Sequence, residues 1–562
     1  VTEFTLVTGE LPAGEYNVRY SVRLEASDAG ATFALTGGAL PEGLTLDTDG
    51  RLTGVPLDSG EFAFEITATL PDGRSASREF TLLVRRKRWL AYISDEGDPG
   101  HARLYLVDIT QGLLPKTTIS ASVTTGTGVA EFAFSPPGNW LGYTARSTTG
   151  EELQLFVADV SGTTGSVGVP LTNSGQVSGF SFRPDGSGVA YHWRATNTPG
   201  EPWELRYAEL GDGAAGLPIT IGPSAGFSAP IHWIHNSLLV YGNSGDLRVT
   251  RVTETGAFTA AQSLAQPGQV RAWNSATEAV ALTQEWPTGC GRTAVLLQLA
   301  SGDAFPAPAD DSYTRWPVFS PDLTQVVLWN GTNAQEVFRA TQLDAAPLGT
   351  ISAAFCSVSS WNPAGNLLAT AWGNDEPRLA ISQIGSTISS HVVPGDYEMP
   401  YTYTMHWTRN DQLVFATDDR LHRIDVVDGE PAAARDLNPP FASAHAISAL
   451  FPAPNGRGVA YVAPQETAGR PEVFVASTDA AEPQVRRALA FNENWRSTEI
   501  LAWSADSSRL AFVVRTDVRE TDYASRLYLV DMVSQTATAV AVNPAACYTS
   551  GCTRSTAPAF QP

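Results

Sequence analysis

The sequence predicts an all-β protein, a small β-sandwich followed by one large closed β-propeller of about ten blades. Three observations predict it. Apolar and polar residues alternate in short runs separated by Gly, Pro and Asp-Gly turns, the period of half-buried strands. From residue 89 onward one unit recurs: an aromatic-centred strand, a polar turn, an apolar strand, a variable loop, then a strand often ending in Asp. Its aromatic anchors fall about 40 to 57 residues apart, the period of four-stranded blades with variable loops. Finally, the unit is split. Ala557-Pro558-Ala559-Phe560-Gln561-Pro562 reads as a first strand with nothing after it, while Trp89-Leu90-Ala91-Tyr92 and Leu104-Tyr105-Leu106-Val107-Asp108 read as later strands with nothing before them. Joining the halves closes a ring.

Composition bounds what the chain does. It has 562 residues, 43% of them hydrophobic, which suits a large folded core. No apolar run approaches the roughly 18 residues of a membrane helix. With 58 acidic and 36 basic side chains the net charge is -22, which repels phosphate backbones and argues against nucleic acid as a partner. The same charge keeps a surface soluble, or draws cations or a basic partner.

Residues 1–84 carry the sandwich pattern, clearest in Phe62-Ala63-Phe64-Glu65-Ile66-Thr67-Ala68 and Phe80-Thr81-Leu82-Leu83-Val84. The stretch Leu40-Pro41-Glu42-Gly43-Leu44-Thr45-Leu46-Asp47-Thr48-Asp49-Gly50-Arg51-Leu52-Thr53-Gly54-Val55-Pro56, continued by Ser59-Gly60-Glu61-Phe62, closely resembles the He_PIG family of Ig-like domains, relatives of cadherin-like modules. The resemblance implies an extracellular spacer, adhesion or assembly unit of bacterial surface proteins. By analogy with cadherin-like relatives, Asp47 and Asp49 are candidate calcium ligands, although calcium takes six to eight oxygens and an Asp-Gly turn accounts for the same residues. Arg85-Arg86-Lys87-Arg88 then reads as a solvated linker over 85–88.

Residues 89–562 carry the repeat. Phe180-Ser181-Phe182-Arg183-Pro184-Asp185-Gly186-Ser187-Gly188-Val189-Ala190-Tyr191 is its clearest copy, with others from Phe132 to Tyr143 and at Val318-Phe319-Ser320-Pro321-Asp322. Looser copies centre on Trp233, Trp273, Trp361, Trp407, Phe451 and Trp503. A blade buries its faces only against neighbours, so the copies are expected to stack in a ring. Two tandem five-bladed rings are the competing layout, but only one split is visible. These residues resemble TolB-like, WD-type propeller repeats, with a signature of aromatic-Ser-Pro-Asp-Gly, Leu-Ala-Tyr and Leu-Tyr-Val-Asp. Trp233-Ile234-His235-Asn236 departs from it by lacking the Pro-Asp-Gly turn.

Chemistry-bearing motifs are sparse. Gly222-Pro223-Ser224-Ala225-Gly226 matches a nucleophile elbow, but that motif needs a helix after the turn and the following residues read as a strand. His232 and His235 would meet on a helix; on a strand they face opposite sides. His101, His192 and His406 are scattered, and an assembled channel site from such residues is the enzyme alternative. Asp95, Glu96 and Asp98 form an acidic loop that reads as a calcium site or a solvated turn. Cys547 and Cys552 flank a four-residue turn and suit a disulfide at the ring seam, and Cys290 and Cys356 are candidates for a second bridge. Paired cysteines imply an oxidising compartment. The connections at 94–102, 145–152, 194–203, 285–292 and 515–525 are enlarged and should emerge on one face, carrying Trp203, Trp286 and Tyr523 as candidate binding residues.

The function expected is therefore a non-enzymatic secreted, periplasmic or cell-surface scaffold that binds a protein or glycan, with the Ig-like module as spacer or homo-oligomer contact and no cofactor beyond a calcium ion. The alternatives are a structural subunit of a surface assembly and a metal-dependent polysaccharide lyase or hydrolase. Val1-Thr2-Glu3-Phe4-Thr5-Leu6 has neither the basic nor the apolar part of a leader, so the numbering is expected to start at a processed end.

Overall fold

The computed structural model describes residues 4–560 except 16–19, 57, 59, 86–88, 96–100, 110–115, 121–127, 147–151, 162–166, 173, 212–213, 227–229, 244–245, 254–255, 265–268, 286–291, 302, 307–316, 330–333, 344–345, 353–357, 373–377, 396, 398–403, 418–419, 442–446, 448, 464–471, 481–482, 489–494, 520–521, 533–539 and 542–558. Among the described residues the regular elements are all strands, and no helix is long and apolar enough to cross a membrane.

The N-terminal module is a two-sheet sandwich. Gly14–Glu15, Ser75–Arg85, Gly60–Thr69 and Thr32–Gly38 form one sheet, in that order; Tyr20–Arg23, Arg51–Gly54 and Leu44–Leu46 form the other. Period-two alternation turns Phe64, Ile66 and Ala68 inward onto Leu24, Phe33, Leu52, Phe80 and Leu82, a core of the module's own. Asp47 and Asp49 sit in the turn between two of these strands. The Asp47 amide donates to the Arg51 carbonyl at 2.8 Å, and Gly50, at φ +84°, donates back to Asp47 O at 2.9 Å. A Cβ on Gly50 would lie 2.9 Å from the Phe33 ring, so close packing as well as backbone conformation requires glycine there.

The rest of the chain is a ring of ten antiparallel sheets among the described residues. In blades 2 to 10 the innermost strand comes first in sequence: Val129–Phe134, Gln176–Phe182, Ile231–His235, Gln269–Asn274, Val318–Phe319, Val358–Trp361, Met405–Arg409, Ala449–Pro452 and Trp495–Trp503. In blade 1 it comes last. Ala559–Phe560 pairs with Trp89–Ser94 through Ala559 opposite Ala91 and Phe560 opposite Leu90, ahead of Arg103–Asp108 and Thr117–Thr118. Each pair of successive blades shares a buried apolar cluster. Blades 10 and 1 do the same: Ala511, Val513, Leu527 and Leu529 pack with Leu90, Tyr92, Tyr105 and Val107, and Phe560 lies against them. Because blade 5 packs on blade 6 as well as blade 10 on blade 1, the layout is one ring rather than two of five.

Three recurring contacts explain the repeat signature. In the Asp turns that follow the first strand, Pro-Asp at 184–185 and 321–322 and Ala-Asp at 505–506, the carboxylate folds back on its own loop: Asp185 accepts from the Ser187 amide at 3.0 Å, Asp322 from Ser320 Oγ at 2.6 Å, and Asp506 from Ser504 Oγ at 2.7 Å. The tyrosine of Leu-Ala-Tyr stacks across the central hairpin, as in Tyr143 on Phe156 and Tyr461 on Phe474 with centroids 5.0 and 5.6 Å apart. Burial pushes the Tyr143 and Tyr461 hydroxyls well above the ordinary phenol range. The third contact crosses between blades. The indole N–H of Trp233 donates to Ser181 O at 3.3 Å, that of Trp361 to Val318 O at 3.1 Å, that of Trp407 to Ser360 O at 2.9 Å and that of Trp503 to Phe451 O at 3.0 Å, each acceptor lying on the innermost strand of the preceding blade.

Candidate functional site

The first strands all run the same way, so the turns between first and second strands leave on one face of the ring and the second-to-third connections on the other. The tight-turn face is tied together across blades. Arg183 Nε donates to Asn236 O at 2.6 Å and Asn362 Nδ2 to Asn410 O at 2.7 Å. Between blades 4 and 5, Glu278 accepts from Arg251 Nη1 and faces His235 Nε2, both at 2.9 Å. The Arg251 hydrogen bonds hold the Glu278 carboxyl down at about 2, with His235 adding to the effect against a raising contribution from burial. His235 is thereby a fixed structural partner, and its Nδ1 meets Ser237 Oγ at 3.0 Å.

Of the propeller's sequence candidates, Asp95, Trp203 and Tyr523 fall among the described residues. Cys290, Cys356, Cys547, Cys552, Glu96, Asp98 and Trp286 lie outside the described residues. Asp95 is buried just beyond Trp89–Ser94. Of the connection expected at 194–203, residues 195–202 are a loop but the last, Trp203, is strand, and the connection expected at 515–525 is largely strand. Trp203 opens the strand Trp203–Gly211, and Tyr523 lies within Asp522–Asp531, opposite Asp517 in a hairpin with Arg509–Arg519. The reason for the second is the cross-strand pairing itself: residues 515–519 and 522–525 continue the ladder beyond the apolar part of the blade, so hydropathy alone ends these strands too early.

Blade 3 concentrates aromatic and charged groups at the end of its central hairpin, Gly188–Arg194 with Trp203–Gly211. The Arg206 guanidinium lies 3.2 Å from the Trp193 ring centroid and that of Arg194 lies 4.5 Å from the Trp203 centroid. Both tryptophans rest on glycines. A Cβ on Gly226, at φ +70°, would come 2.3 Å from Trp203, and one on Gly175, at φ +84°, 2.6 Å from Trp193. Glu204 holds Arg206 at 3.0 Å and Thr220 at 3.2 Å, and Trp193 Nε1 donates to Ser174 O at 3.0 Å. Such a half-buried, pre-oriented set suits a planar polar ligand surface. Cation–π pairs of this kind contribute about 0.5–1 kcal/mol each.

Beneath it, Ser224 of the Gly-x-Ser-x-Gly stretch meets His192 Nδ1 at 3.0 Å. Ser224 ends the strand Ile219–Ser224 and is 6% exposed, while His192 is 0% exposed, so this is a packed hydrogen bond closing the blade rather than a nucleophile on a strained turn. His101 lies just before the third strand of blade 1, and His406 is exposed on the innermost strand of blade 8. Among the described residues no three His, Cys, Asp or Glu side chains group as metal ligands would.

A second sector faces the ring axis. On the innermost strand of blade 5, Gln269, Arg271 and Trp273 are exposed in alternation. The Trp273 ring lies 5.0 Å from the His232 ring of blade 4. At the same repeat position Trp233, Trp361 and Trp407 are 4, 8 and 9% exposed, but Trp273 is 42% exposed. Leaving an indole in solvent forgoes about 1.5–3 kcal/mol of burial. Arg271 Nε donates to Thr283 Oγ1 at 2.8 Å and its Nη2 to Gln269 Oε1 at 2.9 Å, which fixes the guanidinium.

Residues 4–85 match the Putative Ig domain family. No curated protein matches the chain. Solved structures similar to it include a eukaryotic initiation factor (10% identity, 85% of this chain, 99% of that chain, TM-score 0.45), the C-terminal WD40 domain of Sif2 (14%, 71%, 95%, 0.38) and prolyl oligopeptidase B from Galerina marginata (12%, 76%, 51%, 0.37), of which the chain spans about half. All three TM-scores are below 0.5, so the propeller assignment rests on strand order and the inter-blade cores.

Sequence reasoning picked out Trp203 but missed Arg194, Trp193 and Arg206. The signal was present in the paired Trp193-Arg194 and Trp203-Glu204-Leu205-Arg206, whose alternation puts each aromatic within reach of a cation on the partner strand. Trp273 was read as one more anchor, and nothing in its own repeat distinguishes it.

Proposed function

We propose that this chain is a secreted or cell-surface binding scaffold of the TolB-like bacterial type, in which the propeller is the binding platform and the Ig-like domain spaces it or joins copies of it. The observation that carries this reading is the pair of arginine-capped tryptophans at the end of the blade 3 hairpin. Aromatic and arginine side chains held at low conformational cost are the usual anchors of protein and glycan interfaces. The acidic surface, at a net charge of -22, adds long-range discrimination against anionic polymers.

The test is binding of the labelled chain to a glycan array and to intact cells, comparing wild type with an Arg194→Ala/Trp203→Ala double variant of unchanged melting temperature. A tenfold or greater loss supports the blade 3 face. Equal binding by the two proteins would remove that face from the site, and concentration-dependent assembly without any ligand would favour a structural subunit instead.

A further inference from the structure

Among the described residues of the innermost strands, one sector differs from the rest in exposing an anchor tryptophan. Elsewhere the exposed positions of these strands are small or isolated polar residues, such as Ala133 and Glu131 in blade 2, Val358 in blade 7 and His406 in blade 8, while Phe132, Phe180 and Phe319 are half-buried. Blades 4 and 5 instead present Trp273, His232, Arg271 and Gln269. Trp273 occupies the anchor position that elsewhere donates its indole N–H to the preceding blade, yet among the described residues it makes no such bond and turns its ring onto His232. The departure gives the ring no indole bond at this seam among the described residues and leaves the indole 42% exposed on an innermost strand.

From this sector we propose a saccharide subsite: a neutral glycan passes the channel wall with one pyranose ring stacked on Trp273 and its hydroxyls bonded by Arg271, Gln269 and His232. The inference rests on the binding-platform reading and names a ligand class and a second place for it. A pyranose has an apolar C–H face and a rim of hydroxyls, so it needs one open aromatic face and planar polar groups beside it. Arg271 is locked by Thr283 and Gln269 and keeps further N–H donors on its fork. Burial lowers the His232 pKa, leaving a neutral imidazole that both donates and accepts. A neutral polymer is favoured over a polyuronide because the net charge of -22 opposes a polyanion.

Native affinity electrophoresis of the full chain tests this, in gels carrying soluble starch, hydroxyethyl cellulose, xylan or galactomannan, with polygalacturonate as the acidic comparison. At least one neutral polymer should retard the wild type. Trp273→Ala should weaken that retardation at least tenfold with no change in melting temperature, and Trp273→Phe should keep part of it. Retardation by no neutral polymer, by polygalacturonate alone, or equally for wild type and Trp273→Ala would overturn the subsite. Loss in Arg194→Ala/Trp203→Ala but not in Trp273→Ala would reject the axial site while leaving the binding platform standing.

Discussion

Replacing an anchor tryptophan by phenylalanine separates its two roles in the ring. In Trp407→Phe the seam between blades 7 and 8 keeps an aromatic ring but loses the 2.9 Å bond to Ser360 O. In Trp233→Phe the seam between blades 3 and 4 loses the 3.3 Å bond to Ser181 O. A net hydrogen bond contributes about 0.5–1.5 kcal/mol, and an acceptor left without its donor adds to the loss, so each variant should lose about 1–2 kcal/mol. The two seams share no residues, so the double variant should lose about 2–4 kcal/mol. Trp273→Phe provides the internal control: its indole makes no inter-blade bond among the described residues and is 42% exposed, so the change should stay within about 0.5 kcal/mol. Urea unfolding followed by far-UV circular dichroism, with m-values compared, measures all four proteins. Equal losses for Trp273→Phe and Trp407→Phe, or none for Trp233→Phe and Trp407→Phe, would refute the assignment of the indole bonds as inter-blade ties.

Two further outcomes follow from the same contacts. The Glu278 carboxyl is held at about 2, below its ordinary 4.5, so its ionised form favours the folded state. That stabilisation is complete above about pH 4.5 and declines as pH falls toward 2; Glu278→Gln should therefore unfold at lower denaturant than wild type at pH 7, with the gap narrowing in acid, and a gap independent of pH would count against the ion pair. Removing residues 559–562 takes away the strand that completes blade 1 and the half-buried Phe560, and should destabilise the ring by about 2 kcal/mol or more and open the seam of blades 10 and 1 to limited proteolysis; unchanged melting would show that the terminal strand does not close the ring.

The repeat was legible because it is local. A blade's strands, its Asp turn and its buried tyrosine are set by residues within a few positions of one another, and copying them about every 45 residues leaves the pattern in the sequence many times over. Ring closure was legible too, since a first strand at one end and an orphan set at the other have only one way to satisfy their edge hydrogen bonds. The Gly-x-Ser-x-Gly stretch shows where this stops: strand propensity argued against an elbow, but the bond from Ser224 to His192, a residue two strands inward in the blade's ladder, had no sign in the spacing.

Alternation and period, then, determined the two kinds of β architecture, the split first blade and the approximate number of blades. Tertiary structure alone decided which anchor turns outward and which aromatics meet an arginine. Trp273 carries the same residue type at the same repeat position as Trp361 and Trp407, and its exposure depends on His232, contributed by the blade before it. A side chain at a seam takes its rotamer from both walls, and the second wall lies some 40 residues away in sequence, beyond the reach of any local pattern.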